Sequence, residues 1–122
     1  MQVTIYHNAK CSKSREALEY LHSQPLEVQI VEYLESPPCE QDLRRLTKML
    51  GVAPSSLVRA RDFDRLGLQP PEHPDEWIGL IGEYPILLER PIVVCGDQAC
   101  IGRPLQQLVD WLEDLRSTES QP

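Results

Sequence analysis

Cys11 is the residue of this chain with the most chemistry gathered around it in sequence. A cysteine attacks as its thiolate, and a free thiol with a pKa of about 8.5 is only a few per cent ionised at neutral pH. A helix N-terminus lowers that value, because its unpaired N–H groups and dipole favour an anion, and neighbouring cations lower it further. Both conditions can be read here. Val3–Tyr6 is a β-rich run, and Ala17, Leu18 and Leu21 share an apolar face that predicts a helix from about Ser12 to His22, with Ser12 as its N-cap. Cys11 therefore falls at a strand-to-helix junction. His7, Lys10, Lys13 and Arg15 are its cationic or ionisable neighbours, and no acid precedes Glu16. A small buried thiol is the commoner fate of a cysteine, but these polar surroundings favour a reactive one.

A second signal is the pair Arg90-Pro91 and Arg103-Pro104, which brackets a predicted hairpin turning at Gly96-Asp97. In that register Cys95 faces Gln98, Val94 faces Ala99, Ile92 faces Ile101, and Arg90 faces Arg103. Like charges directly opposite destabilise a strand pair unless an anion lies between them. Two guanidinium forks suit an oxyanion, which they can hold bidentately. Arg59, Arg61 and Arg65 cluster elsewhere, and with Asp62 and Asp64 beside them they read as a solvated helix face. Cys39, Cys95 and Cys100 form no CxxC or CxxH pair with one another or with Cys11, which argues against a zinc site, and they read as structural or incidental thiols. Trp77 and Trp111 read as core residues on apolar helix faces.

The elements that must position these residues follow from periodicity. Val28–Leu34 reads as a second strand, so the chain opens with a β-α-β unit whose strands are expected to run parallel. Leu43, Leu46, Thr47 and Leu50 mark a helix ended by Gly51. Pro54 is expected to open a short helix through about Arg61, and Asp75 to cap one that carries Trp77, Ile78 and Ile81 and stops near Pro85. The hairpin follows, and Pro104 opens a last helix bearing Leu105, Leu108, Val109 and Leu112. The order β-α-β, helices, β-β-α is an α/β fold of the thioredoxin-like kind, a mixed four-stranded sheet with a helical insert at about residues 40–84. One domain is expected over residues 1–116, with a polar, unstructured tail over 117–122.

Composition sets the outer limits. The chain has 122 residues and a formal charge of −7, from 12 Lys and Arg against 19 Asp and Glu. That length suits one domain. The acidic balance speaks against nucleic-acid and anionic-membrane partners, but not against a local basic pocket. The N-terminal run is neither a signal peptide nor a membrane span, so a cytoplasmic location with reduced thiols is expected.

Tyr6-His7-Asn8-Ala9-Lys10-Cys11-Ser12-Lys13-Ser14-Arg15 resembles the His-Asn-x-x-Cys-x-x-Ser-Arg start of the single-cysteine, glutathione- and glutaredoxin-dependent arsenate reductase family (the ArsC family). Tyr33-Leu34-Glu35-Ser36-Pro37-Pro38 resembles its second-strand exit, and Arg90–Val94 with Ile101-Gly102-Arg103-Pro104 its closing hairpin. The likeness runs from about residue 2 to 115. It implies that Cys11 is the nucleophile, that His7 favours its thiolate, and that Arg59, Arg90 and Arg103 bind the oxyanion, with Arg61 as the alternative to Arg59. Asn8, Ser14, Arg15 and a cis Pro91 would support them. It further implies reduction of arsenate with glutathione as co-substrate, glutaredoxin as partner, no bound metal or organic cofactor, and a monomer. Two other readings share parts of the pattern. One is a glutathione-linked thiol oxidoreductase with a non-arsenate substrate. The other is a transcription regulator that binds RNA polymerase, whose usual redox switch is a CxxC pair where this chain has Ser14.

Overall fold

The computed structural model describes residues 1–119. Its backbone falls into two compact units: residues 1–31 with the chain from residue 90 onward, and residues 32–89. The four strands are β1 (Gln2–His7), β2 (Glu27–Glu32), β3 (Ile92–Cys95) and β4 (Gln98–Ile101). They form one mixed sheet in the order β2-β1-β3-β4, the thioredoxin-like arrangement. β1 pairs antiparallel with β3, with Tyr6 opposite Ile92. β3 and β4 form the expected hairpin: Cys95 faces Gln98, Val94 faces Ala99 and Ile92 faces Ile101. Gly96 takes the left-handed backbone (φ 62) that a tight two-residue turn requires.

In the first unit, α1 (Ser12–His22) and α5 (Leu105–Glu119) supply the apolar faces that cover the sheet. Val3, Ile5 and Val93 from the strands meet Ala17 and Leu21 of α1 and Leu108 and Leu112 of α5, all essentially free of solvent. Each of the Val, Ile and Leu side chains contributes about 1.5–3 kcal/mol when removed from water, so this cluster fixes both helices against the strands. Trp111 is half-buried at its border rather than fully inside. α5 extends through residues 117–119, which the sequence assigned to an unstructured tail; the rest of that tail, residues 120–122, lies outside the described residues.

The second unit holds α2 (Glu40–Leu50), α3 (Ala60–Leu66) and α4 (Glu76–Glu83). Leu43 and Leu46 of α2 and Ile78 and Ile81 of α4 are buried, and Arg44 reaches from α2 to Asp75, the N-cap of α4, at 3.4 Å. Trp77 is half-buried, its ring 5.3 Å from that of Phe63. The expected helix from Pro54 to Arg61 is broken in two. Pro54–Leu57 is a single 3₁₀ turn, Val58 and Arg59 are extended, and α3 starts at Ala60. The break has a physical cause. β-branched Val58 bridges to Leu88, Arg59 N–H donates to Leu87 C=O (2.7 Å), and Glu89 N–H donates to Leu57 C=O (2.7 Å). These strand-like bonds replace helical ones, as the β preference of valine allows.

Candidate functional site

The junction between β1 and α1 is a tight loop held by its own polar groups. Cys11 N–H donates to Asn8 C=O (3.0 Å). Lys10 N–H donates to Asn8 Oδ1 (3.0 Å), an Asx turn. Arg15 closes the loop from the helix side: its N–H donates to Cys11 C=O (3.0 Å) and its Nη1 to Ala9 C=O (2.8 Å). Cys11 is itself the N-cap of α1, in extended backbone (φ −95, ψ 120). The cap is thus one residue earlier than Ser12, the expected position, and the sulfur stands where a capping oxygen would stand.

Beneath this loop lies a buried polar cluster. Ser14 is fully buried, and His7 and Asn8 are nearly so. Ser14 Oγ accepts from Asn8 N–H (3.0 Å) and shares a hydrogen bond with His7 Nδ1 (2.6 Å). Buried polar groups are costly unless paired, so these bonds lock the end of β1 to the first turn of α1. His7 reaches that turn through Ser14.

The electrostatics of Cys11 follow from this placement. Burial pushes its thiol up, but the Ser14 amide, the Arg90 guanidinium and the Lys13 amide outweigh burial and hold the thiol below the ordinary cysteine range. The two amides act as oriented dipoles of the first helical turn, since neither closes a full capping hydrogen bond on the sulfur. Arg90 is brought there by the sheet: Tyr6 pairs with Ile92, so the residues that leave β1 and those that enter β3 lie at the same end. Arg90 is 6% exposed, a buried guanidinium. The Arg90-Pro91 and Arg103-Pro104 bonds are both cis; the likeness had implied the first.

Arg103 leaves β4 at that same end, half-buried, and its Nη1 lies 3.4 Å from Arg90 C=O as a long donor contact. The sequence placed two guanidinium groups face to face. The structure shows one of them turned toward the backbone carbonyl of the other. Gly102, between β4 and Arg103, donates its N–H to Pro91 C=O (2.9 Å), and a Cβ there would come within 3.3 Å of Pro91 Cγ and 3.4 Å of Leu108 Cβ. A side chain at 102 would require Pro91 or Leu108 to give by a few tenths of an ångström.

Arg59 belongs to the second unit. It is the N-cap of α3 and is not on the solvated face that the sequence suggested. Its Nη1 lies 3.4 Å from Asp62 Oδ2, with side chains 17% and 8% exposed. Arg61 and Arg65 are exposed as expected. Sequence reasoning missed the buried Asp62; the i, i+3 spacing of Arg59 and Asp62 across a helix start could have pointed to it. Among the other thiols, Cys39 is exposed and Cys100 is buried and pushed up to about 11 by that burial.

Among the described residues no three His, Cys, Asp or Glu side chains group as metal ligands, and no helix is long and apolar enough to cross a membrane. A model of the ArsC family matches residues 6–110. A protein of Neisseria meningitidis serogroup A named arsenate reductase is 37% identical over 111 residues, covering 88% of this chain and 95% of its own. A protein of Escherichia coli K12 named uncharacterized protein YfgD is 41% identical over 113 residues, covering 89% and 95%. The solved structure described as arsenate reductase from Vibrio cholerae superimposes with a TM-score of 0.82 at 40% identity, over 90% of this chain and 97% of that one.

Proposed function

The chain belongs to the ArsC family, and on that premise we propose that it reduces arsenate to arsenite with glutathione and glutaredoxin, through a thioarsenate on Cys11. The observation that carries this reading is the Cys11 thiol at the N-cap position of α1, held below the usual cysteine range with the buried Arg90 acting on it. A thiolate facing a guanidinium is a nucleophile beside an oxyanion site.

Arsenate enters as an anion drawn to Arg90 and Arg103, with Arg59 as the third ligand. The family resemblance assigns that place to Arg59, with Arg61 as the alternative. The Cys11 thiolate attacks arsenic, an S–As bond forms, and an oxygen leaves as water after protonation. Glutathione thiolate then attacks the Cys11 sulfur. The S–As pair passes to arsenic, which drops from the pentavalent to the trivalent state and departs as arsenite. Cys11 is left as a mixed disulfide with glutathione. Glutaredoxin thiolate takes the glutathionyl group, and Cys11 leaves as its thiolate, ready to react again. The arginines neutralise charge on the oxygens throughout, and their preorganisation is the electrostatic part of catalysis. His7 acts on this site through Ser14. Asn8, Arg15 and Pro91 hold the loop and the strand end in place. Glutathione serves as a co-substrate, no metal or organic cofactor takes part, and the cytoplasm, with its reduced thiol pool, is the compartment that supplies it.

The test is a coupled assay with arsenate, glutathione, glutaredoxin and an NADPH-linked disulfide reductase. Arsenate-dependent NADPH loss is expected, abolished in Cys11→Ser and reduced roughly a hundredfold in Arg90→Ala and Arg103→Ala. Arg59→Ala is expected to cost far more than Arg61→Ala. No arsenate-dependent NADPH loss with active auxiliary components would overturn the reading.

A further inference from the structure

The outer rim of the β1–α1 junction has a character opposite to that of the chain as a whole. The protein carries a formal charge of −7, yet Lys10, Lys13 and Arg15 all surround Cys11 and all are exposed. Lys10 precedes the cysteine. Arg15 lies one helical turn beyond it, tied back over the loop through Ala9 C=O. Lys13 stands between, 51% exposed, with Glu16 at 3.8 Å. A surface pair of that length between exposed side chains contributes little and leaves most of the lysine charge available. The cations inside the site, Arg90 and Arg103, are buried or half-buried. Lys10 and Lys13 have no task in positioning the sulfur by their side chains. Their charges face outward, around a thiol that is itself partly exposed.

We propose that this collar of Lys10, Lys13 and Arg15 is the docking surface for a protein thiol whose reactive cysteine is ringed by acidic residues, and that it recruits this partner to resolve a disulfide on Cys11. The proposal rests on the reading of Cys11 as the nucleophile. Oppositely charged patches raise encounter rates by about 10-fold to 10³-fold at low salt and lose that advantage as salt is added. The rest of the chain is net negative, which weakens other approaches and favours the collar as the docking site.

The experiment uses the Cys11 mixed disulfide with thionitrobenzoate. The labelling reagent forms it at pH 6 in a fast burst that is absent in Cys11→Ser. A probe thiolate then attacks the Cys11 sulfur, the old S–S bond breaks, a new one forms, and thionitrobenzoate leaves with the electron pair and is read by its absorbance. The probes are two short cysteine peptides, one flanked by four Asp and one by four Lys, with 2-mercaptoethanol as the neutral thiol. Each rate is corrected for thiolate fraction and for its rate on a free mixed disulfide. At low salt the acidic peptide is expected to react roughly tenfold or more faster than the basic one. In 0.5 M salt, about a fivefold shorter screening length than at 20 mM or so, the difference should collapse. The double variant Lys10→Glu, Lys13→Glu should invert the preference, each peptide rate being read as its ratio to the 2-mercaptoethanol rate on the same protein. An intact burst followed by rates blind to charge, salt and charge reversal would overturn the docking surface alone. A missing burst would overturn the nucleophile reading and the docking surface with it.

Discussion

Cys11 and Cys100 are the same side chain in two regions of one protein, and burial raises the pKa of both. Cys100 lies on β4, and its sulfur faces two acceptors, Ile101 C=O at 3.4 Å and Gln107 C=O at 3.8 Å. Acceptors favour the protonated thiol, and burial pushes it up to about 11. Cys11 faces donors instead: two amides at the start of α1 and the Arg90 guanidinium, which together outweigh burial and bring the thiol down. Desolvation alone therefore makes a cysteine inert. The groups that replace its water decide whether it becomes reactive.

The largest effect expected from this contrast is in labelling. At pH 7, iodoacetamide should modify Cys11 faster than Cys100 by roughly a hundredfold or more, after allowing for the lower intrinsic nucleophilicity of a low-pKa thiolate. Peptide-level mass spectrometry resolves the two sites, and comparable rates would erase the contrast. Arg90→Ala should raise the Cys11 midpoint, in line with the loss of a close opposite charge, and leave Cys100 alone. Arg90→Lys should fall between, because it keeps the charge and loses the fork.

Ser14→Ala separates the two roles of one residue. It keeps the backbone amide that acts on Cys11 and removes the buried Oγ that joins His7 to Asn8. The Cys11 midpoint should move little, while unfolding by urea should reveal a loss of about 1–3 kcal/mol. A midpoint shift as large as that of Arg90→Ala would assign the thiolate to the His7–Ser14 bond instead of the amide.

The smallest effect is on stability against pH. The folded Cys11 is a lowered acid, so its contribution is fully present above the unfolded thiol pKa and is lost as pH falls through the folded value. The folded Cys100 is a raised acid, so its contribution is present below the unfolded value and is lost as pH rises toward about 11. Urea midpoints of Cys11→Ser and Cys100→Ala, each against wild type from pH 5 to 10, should therefore diverge in opposite directions with pH. Parallel curves would remove the distinction.

Much of this could be read from residue types. The hairpin register followed from one turn, Gly96-Asp97, because a two-residue loop fixes every pair behind it. α1 ran from Ser12 to His22 as its apolar face required, and the cations around Cys11 were contiguous in sequence. What could not be read depended on contacts distant along the chain or on the backbone. The split of the Pro54–Arg61 segment comes from bonds to Leu87 and Glu89, some thirty residues on. The burial of Asp62 is marked in the sequence only by its i, i+3 spacing from Arg59. Placing the cap on Cys11 instead of Ser12 is a one-residue difference in backbone angle, yet it sets the sulfur among the helix amides. The facing arginines could be seen as a pair, but the turn of Arg103 toward the Arg90 carbonyl could not.

The most direct test of the central claim is the pH dependence of Cys11 alkylation in the wild-type protein, followed at the Cys11 peptide from pH 4 to 10. The thiolate capped by α1 and faced by Arg90 predicts a midpoint below about 8.5, the value of an unperturbed thiol. A midpoint at or above that value would contradict it.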